Sequence, residues 1–194
     1  MEIIEKIREA NYVIIGVTFL LFLIGLAGLS SIAIHQDATI QSSSFLKQTL
    51  FVFPGIVLFI FTFYLPKSFY HKSAYWVYGF ILLAILFPFI GEKIAGTYRW
   101  IDIGPLGIQP SEFSKWIVVI VLARYLSDYN LDLNKFRTLI IPIIVVTIPT
   151  VIVLKQPDLG SAIIILSSLI PMIYWSKVNP YFIFLLAGPL ISIL

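Results

Sequence analysis

The sequence predicts an all-α protein, a polytopic transmembrane helical bundle of about seven spans. Three observations predict it. Of the 194 residues, 59% are hydrophobic and only 12% charged, where soluble domains average about 45–50% and about 25%. A soluble domain of this size leaves most of its residues in contact with water and could not hide so much apolar surface. A bilayer removes the difficulty by acting as the apolar solvent itself. Second, the apolar residues gather into runs that approach the roughly 20 residues needed to cross a bilayer, with basic residues and turn formers collected between them. Third, there are no cysteines and only two histidines, which excludes disulfides, thiolate metal sites and thiol catalysis. His35 and His71 lie near the ends of different runs and read as interfacial polar residues, so no metal is expected. The net charge of +3 is an orientation signal here, not the footprint of a nucleic-acid partner.

The runs follow in order at 12–34, 49–65, 75–90, 112–126, 139–154, 161–175 and 181–194. Lys6 and Arg8 precede the first. Its apolar stretch exceeds the roughly 7–15 residues of a signal-peptide core, so it reads as an uncleaved anchor helix. With the N-terminus inside, alternating the loops puts Lys6, Arg8, Lys67, Lys72, Arg124, Lys135, Arg137 and Lys177 on the cytoplasmic side. Lys47, Lys93, Arg99 and Lys155 fall outside, and this imbalance favours a cytoplasmic N-terminus. Pro66, Pro110, Pro157 and Pro180 mark run boundaries, where a missing N–H costs little. Pro54, Pro88, Pro142, Pro149, Pro171 and Pro189 fall within or near the ends of spans, where membranes tolerate them as kinks. The last run reaches Leu194 with no polar tail, which gives the expectation of a partial transmembrane domain over 1–194.

Two segments on the predicted outer side stand apart from the apolar background. The first runs from Gly96 to Lys115 and contains Arg99-Trp100 and Gln109-Pro110-Ser111-Glu112; the second is Gln156-Pro157-Asp158-Leu159-Gly160. Pro110 and Ser111 offer a first-turn proline or a capping hydroxyl, and Glu112 suits the positive end of a helix dipole. Glu112 and Lys115 share one helical face at i,i+3 spacing. They read either as interfacial capping or as a paired lining of a wet cavity, where intramembrane charges usually lie. Arg99 reads as an interfacial anchor or as a guanidinium fork for phosphate. Asp158 reads as a helix N-cap or as a second acid of that outer cavity.

The stretch G-T-Y-R-W-I-D-I-G-P-L-G-I-Q-P-S-E-F-S-K at Gly96–Lys115 resembles the SEDS family, the RodA/FtsW-like peptidoglycan glycosyltransferases. Q-P-D-L-G at Gln156–Gly160 resembles that family's second signature, and A-R-Y-L at Ala123–Leu126 fits as well. The resemblance covers essentially the whole chain. It implies a fold of roughly ten transmembrane helices, of which this chain would supply the first seven. It also implies polymerisation of glycan strands from lipid II outside the bacterial cytoplasmic membrane, with undecaprenyl pyrophosphate leaving and a class B penicillin-binding protein as partner. The short N-terminus and the D-L-G segment favour the RodA-like elongation branch. No cofactor is implied. Arg99, Glu112, Lys115, Gln156 and Asp158 become candidate substrate-binding or cavity residues. The family's proposed catalytic aspartate lies in a later outer loop, matches no position here, and leaves the catalytic residue unassigned. The chain alone is therefore expected to be inactive. The rival readings are a flippase or transporter of lipid-linked precursors, and a non-catalytic membrane scaffold.

Overall fold

The computed structural model describes residues 11–35, 38–91, 96–103, 106–128, 132, 135–178 and 181. Lys6, Arg8, Asp37, Glu92, Lys93 and all but the first residue of the run at 181–194 lie outside the described residues. The chain forms two compact units, 1–66 and 67–194.

In the first unit, α1 spans Tyr12–His35 and α2 spans Ala38–Tyr64. Asn11 starts α1, its side-chain oxygen accepting from the N–H groups of Val13 and Ile14 at 3.1 and 3.3 Å, two of the donors that a helix start leaves unpaired. Within α1, Thr18 and Ser30 return their hydroxyls to the carbonyls of Ile14 and Ala27, so polar side chains enter an apolar helix already satisfied. The helix α2 begins well before the apolar run at 49 and takes in the mostly polar stretch from Gln41 to Gln48.

The second unit holds α3 (Lys67–Leu86), a 3₁₀ turn (Phe87–Ile90), strands β1 (Ile101–Ile103) and β2 (Leu106–Ile108), then α4 (Pro110–Leu126), α5 (Phe136–Lys155), α6 (Leu159–Ser167) and α7 (Leu169–Trp175). The central helix is α4, which packs on α3, α5, α6 and α7. Its buried Val118, Val121 and Leu122 follow the i,i+3,i+4 spacing of one helical face. Leu139, Val146 and Val153 on α5 and Ile165, Leu169 and Ile173 on α6 and α7 complete the core. Outside it the surface is apolar as well: Trp76 and Trp175 are each 84% exposed. Large aromatics facing outward at that level mark a lipid-facing surface, not a water-facing one. Among the described residues three stretches, Tyr12–Ser31, Lys67–Ile90 and Phe136–Lys155, are long and apolar enough to cross a bilayer, with Gln48–Tyr64 and Leu159–Trp175 as shorter apolar helices. The protein is a multi-pass helical membrane protein.

Several elements differ from the sequence-based expectation. The helix predicted at 75–90 begins at Lys67 and tightens into the 3₁₀ turn at Phe87, because Pro88 cannot donate to a helical carbonyl. The run at 161–175 is interrupted at Ser168. Pro171 explains the break, since its ring clashes with the carbonyl four residues earlier, Ser167, and removes that carbonyl's donor. The segment between the 3₁₀ turn and α4 also carries a β-ribbon that apolar runs do not announce, with Ile101 opposite Ile108, Asp102 opposite Gly107 and Ile103 opposite Leu106.

Pro142 and Pro149 lie inside α5, and both are buried. Each withholds an N–H from the carbonyl four residues back, Thr138 and Val145. A tyrosine from another helix supplies each missing donor. Tyr125 Oη donates to the Thr138 carbonyl at 3.1 Å, and Tyr78 Oη donates to the Val145 carbonyl at 2.9 Å. In hydrocarbon an unpaired carbonyl costs several kcal/mol, so these two hydroxyls let α5 run unbroken for 20 residues.

Candidate functional site

Both sequence segments meet where α3 and α5 end and α4 and α6 begin. The segment after Glu92–Ala95 resumes at Gly96, whose φ of 77° is the left-handed conformation that glycine adopts without strain. Tyr98 then packs on Phe89 of the 3₁₀ turn, ring centroids 5.6 Å apart, which anchors the chain one residue before Arg99.

Gln109 is the N-cap residue of α4, extended in backbone, and Pro110 takes the first helical position. There the absent N–H would have had no helical partner in any case. Ser111 does not serve as the cap. Its hydroxyl accepts from Gln109 Nε2 at 3.0 Å. Gln109 Nε2 also donates to Asp158 Oδ2 at 2.8 Å, joining positions 49 residues apart. Asp158 is the N-cap of α6: its Oδ1 accepts from the Ser161 N–H at 3.1 Å. Arg99 approaches the same oxygen, Nη1 to Oδ1 3.9 Å, and donates through Nη2 to the Pro157 carbonyl. Asp158 is only 6% exposed, a depth at which a carboxylate needs several donors. It has a backbone N–H, an amide and a neighbouring guanidinium.

Gln156 is buried beside this cluster and donates to the Ile85 carbonyl at 2.5 Å. That carbonyl is orphaned by the 3₁₀ turn, because Pro88 has no N–H and the following groups bond in the tighter i→i+3 pattern. Gln156 therefore ties the end of α5 to the end of α3 and fixes the height at which Asp158 stands.

The predicted residues thus separate. Arg99 and Asp158 come together, Gln156 braces them, and Glu112 with Lys115 forms its own pair at 2.6 Å. Lys115 is mostly buried, but the Glu112 side chain is 53% exposed. The pair is formed without being sealed inside the protein, so the large penalty for orphaning a fully buried charge does not apply to it. Two further residues of the cluster, Gln109 and Ser111, are not singled out as site residues by the sequence. The signal for Gln109 was present: Gln-Pro occurs twice, at Gln109-Pro110 and Gln156-Pro157, each time just before a helix start. Among the described residues no group of His, Asp and Glu could hold a metal ion.

Chemically, the cluster offers a guanidinium whose Nε is buried and without a partner among the described residues. Arg99 keeps about a third of its side chain exposed. An anion reaching it would meet a cation already oriented by Pro157 and Asp158. Both Asp158 oxygens are engaged, so acting as a general base would cost it those contacts.

The family model for the cell-cycle proteins FtsW, RodA and SpoVE matches residues 11–194. A probable peptidoglycan glycosyltransferase FtsW from Legionella pneumophila is 30% identical over 173 residues, covering 86% of this chain and 44% of the relative. The crystal structure of the Thermus thermophilus rod shape determining protein RodA superposes with a TM-score of 0.77 at 22% identity, covering 92% of this chain and 59% of that one. A structure described as a peptidoglycan synthase complex that coordinates polymerization and crosslinking gives a TM-score of 0.69 at 21% identity, covering 90% of this chain and 51% of the other. These structural likenesses establish the fold. The chain spans less than half the length of the FtsW relative and little more than half of the solved chains.

Proposed function

Because the chain belongs to the FtsW, RodA and SpoVE family of cell-cycle proteins, we propose that it supplies the lipid II-binding part of a peptidoglycan glycosyltransferase of the bacterial cytoplasmic membrane. Its N-terminus is cytoplasmic, and the Arg99–Asp158–Gln109 cluster faces outward. That cluster is the observation that carries the reading, since it joins the two motif segments through direct contacts.

In the reaction an acceptor sugar hydroxyl attacks the anomeric carbon of the lipid-linked disaccharide. The new C–O bond forms as the bond to the pyrophosphate oxygen breaks, and a carboxylate base takes the hydroxyl proton. Arg99 binds the pyrophosphate and stabilises the charge that collects on it as it leaves. Asp158 and Gln109 are positioning residues that hold Arg99 and the start of α6. Glu112 and Lys115 line the approach. The base is not among these groups. The partner is a class B penicillin-binding protein, which crosslinks the strands; the coupling of polymerization and crosslinking in the similar complex supports this assignment.

The test uses labelled lipid II and the 194-residue protein in liposomes. Lipid II should bind, Arg99→Gln should weaken binding by about tenfold or more, and no glycan should form even with the class B partner added. Binding indifferent to Arg99 would remove the assignment, and glycan formation abolished by Asp158→Asn would place the base in this chain. Among branches, the Q-P-D-L-G segment supports elongation and rod-shape determination, whereas the FtsW name of the Legionella relative supports division. Localisation of a fluorescent fusion to the side wall or to the septum separates them.

A further inference from the structure

At the opposite end of the second unit, α3 begins, α4 ends, α5 begins and α7 ends. This end carries six Lys and Arg residues (Lys67, Lys72, Arg124, Lys135, Arg137, Lys177) against two acids, Asp128 and Asp132. Between α3 and α4 it opens into a cavity of about 400 Å³ whose lining includes Lys67, His71 and Arg124 over Tyr70 and Ile120. That volume is within the range of sites that take small organic ligands. Among the described residues no carboxylate lines it, and Asp132 is paired with Lys135 at 3.1 Å.

Arg124 is held in place. Its Nε donates to the His71 carbonyl at 3.0 Å, and its guanidinium lies 6.0 Å from the centre of the Tyr75 ring, within cation–π range. Its other N–H groups, and the Lys67 ammonium, have no partner among the described residues. A second cavity, of about 120 Å³, shares Tyr70 and Ile120 with the first and runs along α3 and α4 between Phe69, Ala74, Val77 and Ile117. It is an apolar slot continuing from a cationic mouth.

We infer that this end of the bundle is a binding site for an anionic phospholipid. Its phosphodiester sits between Lys67 and Arg124, and part of one acyl chain lies in the slot between α3 and α4. Charge complementarity selects the phosphate, and the slot selects a lipid over a free anion. One oriented cation, Arg124, and one exposed cation, Lys67, with no acid among the described lining residues, suit an anion, and juxtamembrane cations of this kind attract anionic headgroups. The site is remote from the Arg99–Asp158 cluster, and its occupancy does not depend on glycosyl transfer.

Native mass spectrometry of the 194-residue protein in mild detergent tests this, with phosphatidylglycerol, phosphatidylcholine of the same chains, and sn-glycerol 3-phosphate as probes. One phosphatidylglycerol should be retained at least about tenfold more strongly than phosphatidylcholine. Lys67→Gln should weaken retention about fivefold. Lys67 is exposed and unpaired, so the variant should fold normally. Lys72→Gln, on the same helix but outside the cavity lining, should leave retention unchanged. Equal retention of the two lipids, or equal effects of the Lys67 and Lys72 changes, would overturn the site. Displacement of the lipid by glycerol phosphate at matching concentration would overturn the lipid as its occupant and leave a free-phosphate site instead.

Discussion

The helix α5 and the α6–α7 segment meet the same chemical insult and answer it differently. Pro142 and Pro149 both lie inside α5, yet it remains one helix from Phe136 to Lys155. Pro171 alone divides the next segment at Ser168. In α5 the carbonyls that lose their donors, Thr138 and Val145, receive tyrosine hydroxyls from α4 and α3. For Pro171 the freed carbonyl is Ser167, and the nearby serines turn inward. Ser167 and Ser168 donate to the carbonyls of Ile164 and Ile165, and the Ser168 N–H reaches both. There the serine hydrogen bonds stay within the chain and serve the carbonyls of Ile164 and Ile165, not that of Ser167, whereas the freed carbonyls of α5 are satisfied from outside. The cost of a proline in an apolar helix is thus set by the neighbour facing its orphaned carbonyl, not by the proline alone. The consequence reaches the candidate site, because Gln156 and Asp158 stand at the end of α5.

Removing both hydroxyls should have the largest effect. Tyr78→Phe with Tyr125→Phe should destabilise the protein by about 2–4 kcal/mol, since two part-buried carbonyls are left without donors. Denaturation in mixed micelles measures it, and a loss below about 0.5 kcal/mol would mean that α5 is held straight by packing alone. The same variant should also lose Arg99-dependent lipid II binding, as the end of α5 shifts.

The single change Tyr78→Phe should cost about 1–2 kcal/mol. In a Pro149→Ala background, which restores the helical N–H, that cost should fall by about half or more. A double-mutant cycle with no coupling would separate the tyrosine from the proline. Pro171→Ala should act on the other side of the comparison, joining α6 and α7 with a stability change of about 1 kcal/mol or less. Its readout is slower hydrogen exchange of the amides from Ser168 to Ile173. Unchanged exchange would assign the break to the serines. The smallest effect belongs to a polar contact that is not enclosed. Glu112→Gln should change stability by less than about 1 kcal/mol, and a larger loss would show that the Glu112–Lys115 pair is desolvated in the membrane.

The all-α membrane fold was legible from composition and run length because transfer into hydrocarbon is a local property, summed residue by residue along the chain. The family signature was legible too, since it rests on contiguous residues from Gly96 to Lys115 and from Gln156 to Gly160. The sequence could also offer Asp158 as a helix cap, because capping involves neighbours only three residues apart. Tertiary structure alone decided that Gln109 reaches Asp158, that Arg99 reaches Pro157, and that Gln156 closes the turn at Ile85. It also decided that Tyr78 and Tyr125 serve Pro149 and Pro142. Helices that are apolar on nearly every face carry little periodic signal for which side packs inward, so their lateral partners cannot be read from spacing. Which donor meets which orphaned carbonyl depends on the rotation and height of one helix against another, and those are set only when the helices pack.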